Sequence, residues 1–271
     1  MSLLHITTIQ ADLVWEDKEA NLRRFTDQIN AISGKKEIVV LPEMFSTGFS
    51  MRPEALAETM TGPSVSWMRN TAREQHIILT GSLIIEENGQ YYNRLIWMLP
   101  TGDYGYYDKK HLFAMGDEHR HYQAGEKRFI ASVNGWRVNL LICYDLRFPV
   151  WARQQPQNDA AEYDLLIYVA NWPVMRNHAW KTLLQARAIE NQSYVVGVNR
   201  VGTDGKGVYH SGDTMLVDPL GAILYQVADK EEVHTTVIDK APLIALREKL
   251  PFLHDADPFV LPVFQPTVDQ S

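Results

Sequence analysis

Short β-rich runs recur through the whole chain, at residues 5–12, 37–41, 77–86, 91–99, 104–109, 137–142, 165–170, 193–199, 214–217 and 232–238. So many runs commit the core to sheet. Asn88-Gly89 lies between two of them and Asn134-Gly135 just before another. Both dipeptides are hairpin signals, so part of the sheet is antiparallel. Helical periodicity is confined to 17–33, 64–74, 148–154, 178–190 and 242–249, with Pro63-Ser64 and Pro242 as helix starts. This is too much sheet for a plain doubly wound fold. Two sheets packed face to face, with helices on their outer faces, would bury that many strands and still cover both exteriors. With 271 residues, 45% of them hydrophobic, a large core is within reach. No repeat, low-complexity tract or Gly/Ser/Pro linker divides the chain, so 1–271 reads as a single α/β domain.

Composition then narrows the partners. A net charge of −7 and a pI near 5.7 argue against nucleic acid, because phosphate binding needs concentrated Lys and Arg. No apolar run is long enough to span a bilayer, and no charged-then-apolar leader stands in the first ten residues, so no membrane partner is expected. One cysteine, Cys143, excludes an intramolecular disulfide. A reducing cytoplasm is the expected location.

Cys143 stands where the buried run Val138-Asn139-Leu140-Leu141-Ile142 meets Tyr144-Asp145-Leu146-Arg147-Phe148-Pro149. Asp145 and Pro149 suit a turn or helix start, so the thiol falls at the C-terminal edge of a sheet, where open α/β folds bind ligands. That placement reads as a nucleophile; the competing reading is a buried structural thiol. Ile38-Val39-Val40-Leu41-Pro42 leads to Glu43 in the same way, since Pro42 ends the strand ladder. Beside apolar Met44 and Phe45, that carboxyl would be partly desolvated and suited to proton transfer near neutrality, unless it is simply a solvated loop residue. In Tyr107-Asp108-Lys109-Lys110-His111, extended backbone would turn Lys109 and His111 to one side and Lys110 to the other. An ammonium near a thiol and a carboxylate could lower the thiol pKa and bind a developing oxyanion. His119 and His121 could form a metal pair, but no third ligand stands at recognisable spacing, so no metal and no other cofactor is expected.

Together these segments resemble the nitrilase superfamily of carbon–nitrogen hydrolases over most of the chain. Leu41-Pro42-Glu43 matches the family's general-base segment, Tyr107 to Phe113 its lysine segment, and Ile142 to Pro149 its nucleophile elbow. Alignment on His111-Leu112-Phe113 makes Lys109 the catalytic lysine. Glu118, seven positions before Gly125, falls where the family has a second glutamate, and Asn171-Trp172-Pro173 with Trp180 matches the wall after the nucleophile. The resemblance implies a four-layer α-β-β-α sandwich with two central mixed sheets. It also implies a homodimer formed through the sheet-flanking helices, with the tail from about residue 250 taking part. Within the superfamily the chain looks most like the bacterial omega-amidases, on Asn171-Trp172-Pro173, Arg176, Trp180 and the run Arg247 to Pro251. It departs from many members at Val150, where they carry a glutamate.

The expected reaction is hydrolysis of a short linear primary amide, such as 2-oxoglutaramate or 2-oxosuccinamate, through a thioester on Cys143. Lys109 would activate the thiol by its charge and Glu43 by accepting its proton; Lys109 and the backbone N–H of Tyr144 would hold the oxyanion. Glu118 would orient Lys109 or the amide, the alternative being a loop carboxylate paired with Arg120. Phe45 and Trp172 are expected as apolar walls and Arg176 as the partner of the substrate carboxylate. Nitrilase, N-carbamoyl amidohydrolase and acyltransferase activities share this chemistry. A non-catalytic ligand-binding or thiol-sensing protein of the same fold is the reading from another class.

Overall fold

The computed structural model describes residues 2–155 and 160–261. The strands, in chain order, are β1 (Leu3–Gln10), β2 (Ile38–Val40), β3 (Ile78–Glu87), β4 (Gln90–Met98), β5 (Tyr104–Asp108), β6 (Ile130–Val133), β7 (Trp136–Ile142), β8 (Leu165–Ala170), β9 (Tyr194–Asn199), β10 (Val201–Thr203), β11 (Tyr209–Val217), β12 (Ile223–Ala228) and β13 (Glu232–Asp239). The helices are α1 (Lys18–Asn30), α2 (Pro53–Leu56), α3 (Pro63–Gln75), α4 (Glu118–His121), α5 (Pro149–Ala152), α6 (Asn177–Asn191) and α7 (Lys240–Lys249). One sheet has the order β13-β1-β2-β3-β4-β5; the other runs β10-β11-β9-β8-β7-β6, with β12 also paired to β11. Both are mixed, because β1, β2 and β3 are mutually parallel, as are β7, β8 and β9, while their neighbours are antiparallel.

The inner faces meet in one core, where Leu4, Ile6, Val40 and Leu95 of the first sheet pack with Val138, Leu140 and Ile167 of the second. Each such fully buried aliphatic contributes about 1.5–3 kcal/mol relative to exposure. On the outside of the first sheet, Phe25 and Ile29 of α1 and Val65, Met68 and Ala72 of α3 bury Val39, Leu79 and Ile96. On the outside of the second, α6 lies so close to β9 that a Cβ at Gly197 would stand 2.5 Å from Leu184 and 2.7 Å from Trp180. Glycine is therefore required there by the helix approach. The result is the expected α-β-β-α sandwich.

Three strands carried no expectation, β6, β10 and β12, and β11 begins five residues earlier than the run at 214–217. The helix expected over 148–154 is a single turn, Pro149–Ala152. The chain leaves it because Gln154 is captured by Asn191 of α6, the backbone N–H of Gln154 donating to Asn191 Oδ1 at 2.9 Å. Pro63 does open α3, but α7 starts two residues before Pro242 because Asp239 caps it, accepting from the Ala241 N–H at 3.0 Å. Among the described residues, no helix is long and apolar enough to cross a membrane. Residues 262–271, much of the tail expected at a dimer contact, lie outside the described residues.

Candidate active site

The C-terminal ends of β2, β5, β7 and β8 reach one rim, and each delivers a polar side chain there. β7 ends at Ile142 and runs into a 3-10 turn, Cys143–Arg147, with Cys143 at φ 43°. A left-handed backbone on a residue bearing a Cβ costs on the order of 1–3 kcal/mol and persists only where surroundings impose it. The same strain recurs beside Glu43, where Met44 has φ 44° and its N–H donates to Ser82 Oγ at 2.8 Å.

Glu43, Lys109 and Glu118 are all fully buried and form one cluster. Lys109 Nζ donates to Glu43 Oε1 at 2.8 Å and to Glu118 Oε1 and Oε2 at 3.0 and 2.9 Å. Asn93 Nδ2 donates to both carboxylates, at 2.8 Å to Glu43 Oε1 and 3.2 Å to Glu118 Oε1. The backbone N–H of Asn171, the first residue after β8, donates to Glu43 Oε2 at 2.8 Å, so this carboxylate ties one sheet to the other. Glu118 Oε2 also takes the Phe113 N–H at 2.6 Å. Arg120 pairs instead with Asp117 at 3.5 Å, so the alternative role considered for Glu118 does not hold.

Burial alone would discharge Lys109, but Glu118 and then Glu43 outweigh it and hold the ammonium well above the ordinary lysine value. Burial pushes Glu118 up, against the pull of Lys109, and the negative charge of Glu43 adds to the rise. Burial likewise drives the Cys143 thiol well above its usual value; Glu43 reinforces this and Lys109 only partly opposes it. This corrects the expectation that Lys109 lowers the thiol pKa. Burial and the neighbouring carboxyl groups thus favour the thiol over the thiolate.

Above the thiol opens a cavity of about 160 Å³. Cys143, Tyr144, Lys109 and Asn171 form its floor, and Phe49, Phe113, Trp172 and Pro173 its apolar walls. Arg147 and Arg176 also line it, with Asp204 and Lys206 of the β10–β11 turn and His210 of β11. The Arg147 guanidinium lies 5.0 Å from the centroid of Trp172 and that of Arg176 lies 5.1 Å from Phe113. Among the described residues, neither pairs with a carboxylate. His210 is kept neutral near pH 7 because burial, aided by Arg200, pushes it down to about 4.

Of the residues singled out in the sequence for the site, Trp172, Arg176 and Tyr144 line the cavity. Phe45 does not. It packs at 5.7 Å from Phe25 and 5.8 Å from Trp67 in the core beneath the first sheet. The left-handed turn at Met44 redirects the chain, and the Phe45 N–H docks on Ser82 O at 3.1 Å, so Phe49 and Phe113 take the expected wall position. His111 also departs from its expected side. β5 ends at Asp108, the alternation stops there, and the His111 ring stacks on Phe148 at 3.9 Å, away from Lys109. Lys110 lies 5.5 Å over Trp151, away from the cavity as expected. Asn93 was missed because one asparagine inside a strand carries no sequence signal. Arg147 was within reach, as it stands in the elbow segment itself.

The family model for carbon-nitrogen hydrolases matches residues 5–248. Omega-amidase YafV of Escherichia coli K12 is 45% identical over 263 residues, 95% of this chain and 98% of that protein. The 2-oxoglutaramate amidase of Bacillus subtilis 168 is 31% identical over 253 residues, covering 92% of this chain and 96% of its own. Among solved structures, XC1258 of Xanthomonas campestris, a CN-hydrolase superfamily protein with an arsenic adduct in its active site, superposes with a TM-score of 0.94 at 41% identity. It covers 97% of this chain and 100% of its own. Sequence, fold and the rim of buried polar groups thus agree, and the chain belongs to the carbon-nitrogen hydrolase family.

Proposed function

We propose that this chain is an omega-amidase that cleaves the terminal amide of a short 2-oxo dicarboxylic acid, with Cys143 as nucleophile, Glu43 as general base and acid, and Lys109 as oxyanion donor. The observation that carries the reading is a buried Glu43–Lys109–Glu118 cluster beside a lone thiol, at a small cavity lined by two guanidinium groups that have no carboxylate partner among the described residues. The omega-amidase and 2-oxoglutaramate amidase relatives support the substrate class.

The neutral thiol requires that ionisation accompany attack. As Sγ bonds to the amide carbon, its proton passes to Glu43 and the carbonyl oxygen becomes an oxyanion. Lys109, kept charged by its carboxylates, and the backbone N–H of Tyr144 stabilise that oxyanion. Each such donor is typically worth about 3–4 kcal/mol in the transition state. Glu43 then protonates the leaving nitrogen, the C–N bond breaks, ammonia departs and a thioester remains. A water gives its proton to Glu43 and attacks the thioester; the C–S bond breaks, the proton returns to sulfur and the acid is released. Glu118 and Asn93 fix Lys109 and Glu43 throughout. The substrate carboxylate sits between Arg147 and Arg176, where charge-assisted bidentate pairing is available in a partly dry site.

The enzyme works as a homodimer in the cytoplasm, in keeping with the family resemblance and the single unpaired thiol. Light scattering of the purified chain at micromolar concentration tests the dimer. Ammonia release from 2-oxoglutaramate, 2-oxosuccinamate, a neutral amide, a nitrile and an N-carbamoyl amino acid tests the activity. Preference for the two oxo-acid amides is the expected result, and release from none of them would overturn the assignment.

A further inference from the structure

One fully buried carboxylate near the thiol has no part in the reaction above. Asp145 lies two residues after Cys143, and both of its oxygens are filled by the chain itself. Oδ2 accepts the Ile142 N–H at 3.0 Å and the Tyr107 hydroxyl at 2.8 Å; Oδ1 accepts the His111 N–H at 3.0 Å and stands 2.8 Å from His111 Nδ1. Because an ionised carboxylate only accepts, Nδ1 carries the proton. Ile142 immediately precedes the nucleophile, while Tyr107 and His111 flank Lys109 at two residues on either side. The same two segments meet twice more: Trp151 Nε1 donates to the Tyr107 hydroxyl at 2.9 Å, and His111 stacks on Phe148 at 3.9 Å.

We infer that Asp145 is the positioning residue that sets the separation of Cys143 Sγ from Lys109 Nζ, by joining the nucleophile elbow to the lysine segment. This rests on the proposed roles of Cys143 and Lys109 and adds how their spacing is held. The backbone of Lys109 is held by the first sheet and its loops: its N–H donates to Asn93 O at 3.0 Å, and its carbonyl accepts from the Gly125 N–H at 2.9 Å. Cys143 belongs to the second sheet. Asp145 ties the left-handed elbow directly to the segment carrying the ammonium. The Tyr107 hydroxyl already accepts from the Lys110 N–H at 3.1 Å and from Trp151, so its own proton goes to Asp145. An amide at position 145 would present N–H groups to at least one backbone N–H in either orientation.

The test uses Asp145→Asn and Tyr107→Phe in the full chain, with Cys143→Ala in parallel. For each variant one measures kcat and KM for 2-oxoglutaramate and the thermal midpoint, and for the two that keep the thiol also the rate of Cys143 alkylation by iodoacetamide. A displaced oxyanion donor should lower kcat by about tenfold to a hundredfold in folded Asp145→Asn and by a smaller factor in Tyr107→Phe, with KM held within about threefold. A purely structural role would instead lower kcat and the folded fraction together. Folded variants with kcat within about threefold of wild type, or with KM rising as much as kcat falls, overturn the inference. If Asp145→Asn does not fold, Tyr107→Phe, which deletes one oxygen and creates little cavity, decides alone. An active Cys143→Ala would sink the proposed chemistry itself, a result distinguishable from an unaffected Asp145→Asn.

Discussion

At the scale of single residues, the site's chemistry is set by charge counting inside a dry cluster. Lys109 cannot serve as a thiol-activating cation while two carboxylates hold it, so Cys143 waits as a neutral thiol. Without substrate, iodoacetamide should therefore modify Cys143 slowly at pH 7 and faster as pH rises above the ordinary thiol range. A plateau reached below about pH 8 would contradict the raised pKa. Cys143→Ala should abolish turnover with the fold intact, and Cys143→Ser should be nearly as inactive, both read by ammonia release. Lys109→Ala should lose about two to three orders of magnitude in kcat, whereas Lys110→Ala, over Trp151 and outside the cavity, should stay near wild type. At the carboxylate end, Arg147→Ala and Arg176→Ala should each raise KM for 2-oxoglutaramate by roughly 1.5–3 kcal/mol, leaving a neutral amide far less affected. Equal effects on the two substrates would place the carboxylate elsewhere.

At the scale of elements, what was legible depended on whether the determining forces act between near neighbours. The β3–β4 and β6–β7 hairpins follow from Asn88-Gly89 and Asn134-Gly135, whose φ values of 55°, 75°, 47° and 79° are those such turns demand. β6, which carried no expectation of its own, pairs with β7 across the second of these turns. β12 escaped because Ile223 and Leu224 both stand largely exposed, which erases the alternation a half-buried strand normally shows. Local geometry also locks the lysine segment: a Cβ at Gly125 would lie 2.1 Å from Asp108 O. Gly125→Ala should therefore shift this loop, lowering kcat and costing about 1–3 kcal/mol in urea unfolding. Unchanged activity and midpoint would show that the loop yields without disturbing Lys109.

At the scale of the whole molecule, the two sheets are held in register by their shared core and by a polar clamp far from the site. Asp164, just before β8, accepts Lys240 Nζ at 2.7 Å and Arg247 Nη1 at 2.9 Å from α7, and also the Arg137 N–H at 3.0 Å. Since α7 follows β13 of the first sheet, this clamp spans the sandwich. Asp164→Ala should cost about 3–5 kcal/mol in chemical denaturation, because it removes the carboxylate shared by two partly buried cations and leaves them only backbone carbonyls, while kcat at 25 °C remains unchanged. The sequence by itself determined the chemical inventory and its order: a carboxylate after β2, an ammonium after β5, a thiol after β7, and enough β-rich runs to require two sheets. Strand ends, turn dipeptides and residue types are local, so they can be read from neighbours along the chain. Only the tertiary structure decided that Phe45 faces the core, that Asn93 bridges Glu43 and Glu118, that Arg147 lines the same cavity as Arg176, and that burial raises the thiol pKa. Those outcomes depend on burial and on sums of charge over residues as far apart as Glu43 and Asn171, which no window of sequence contains.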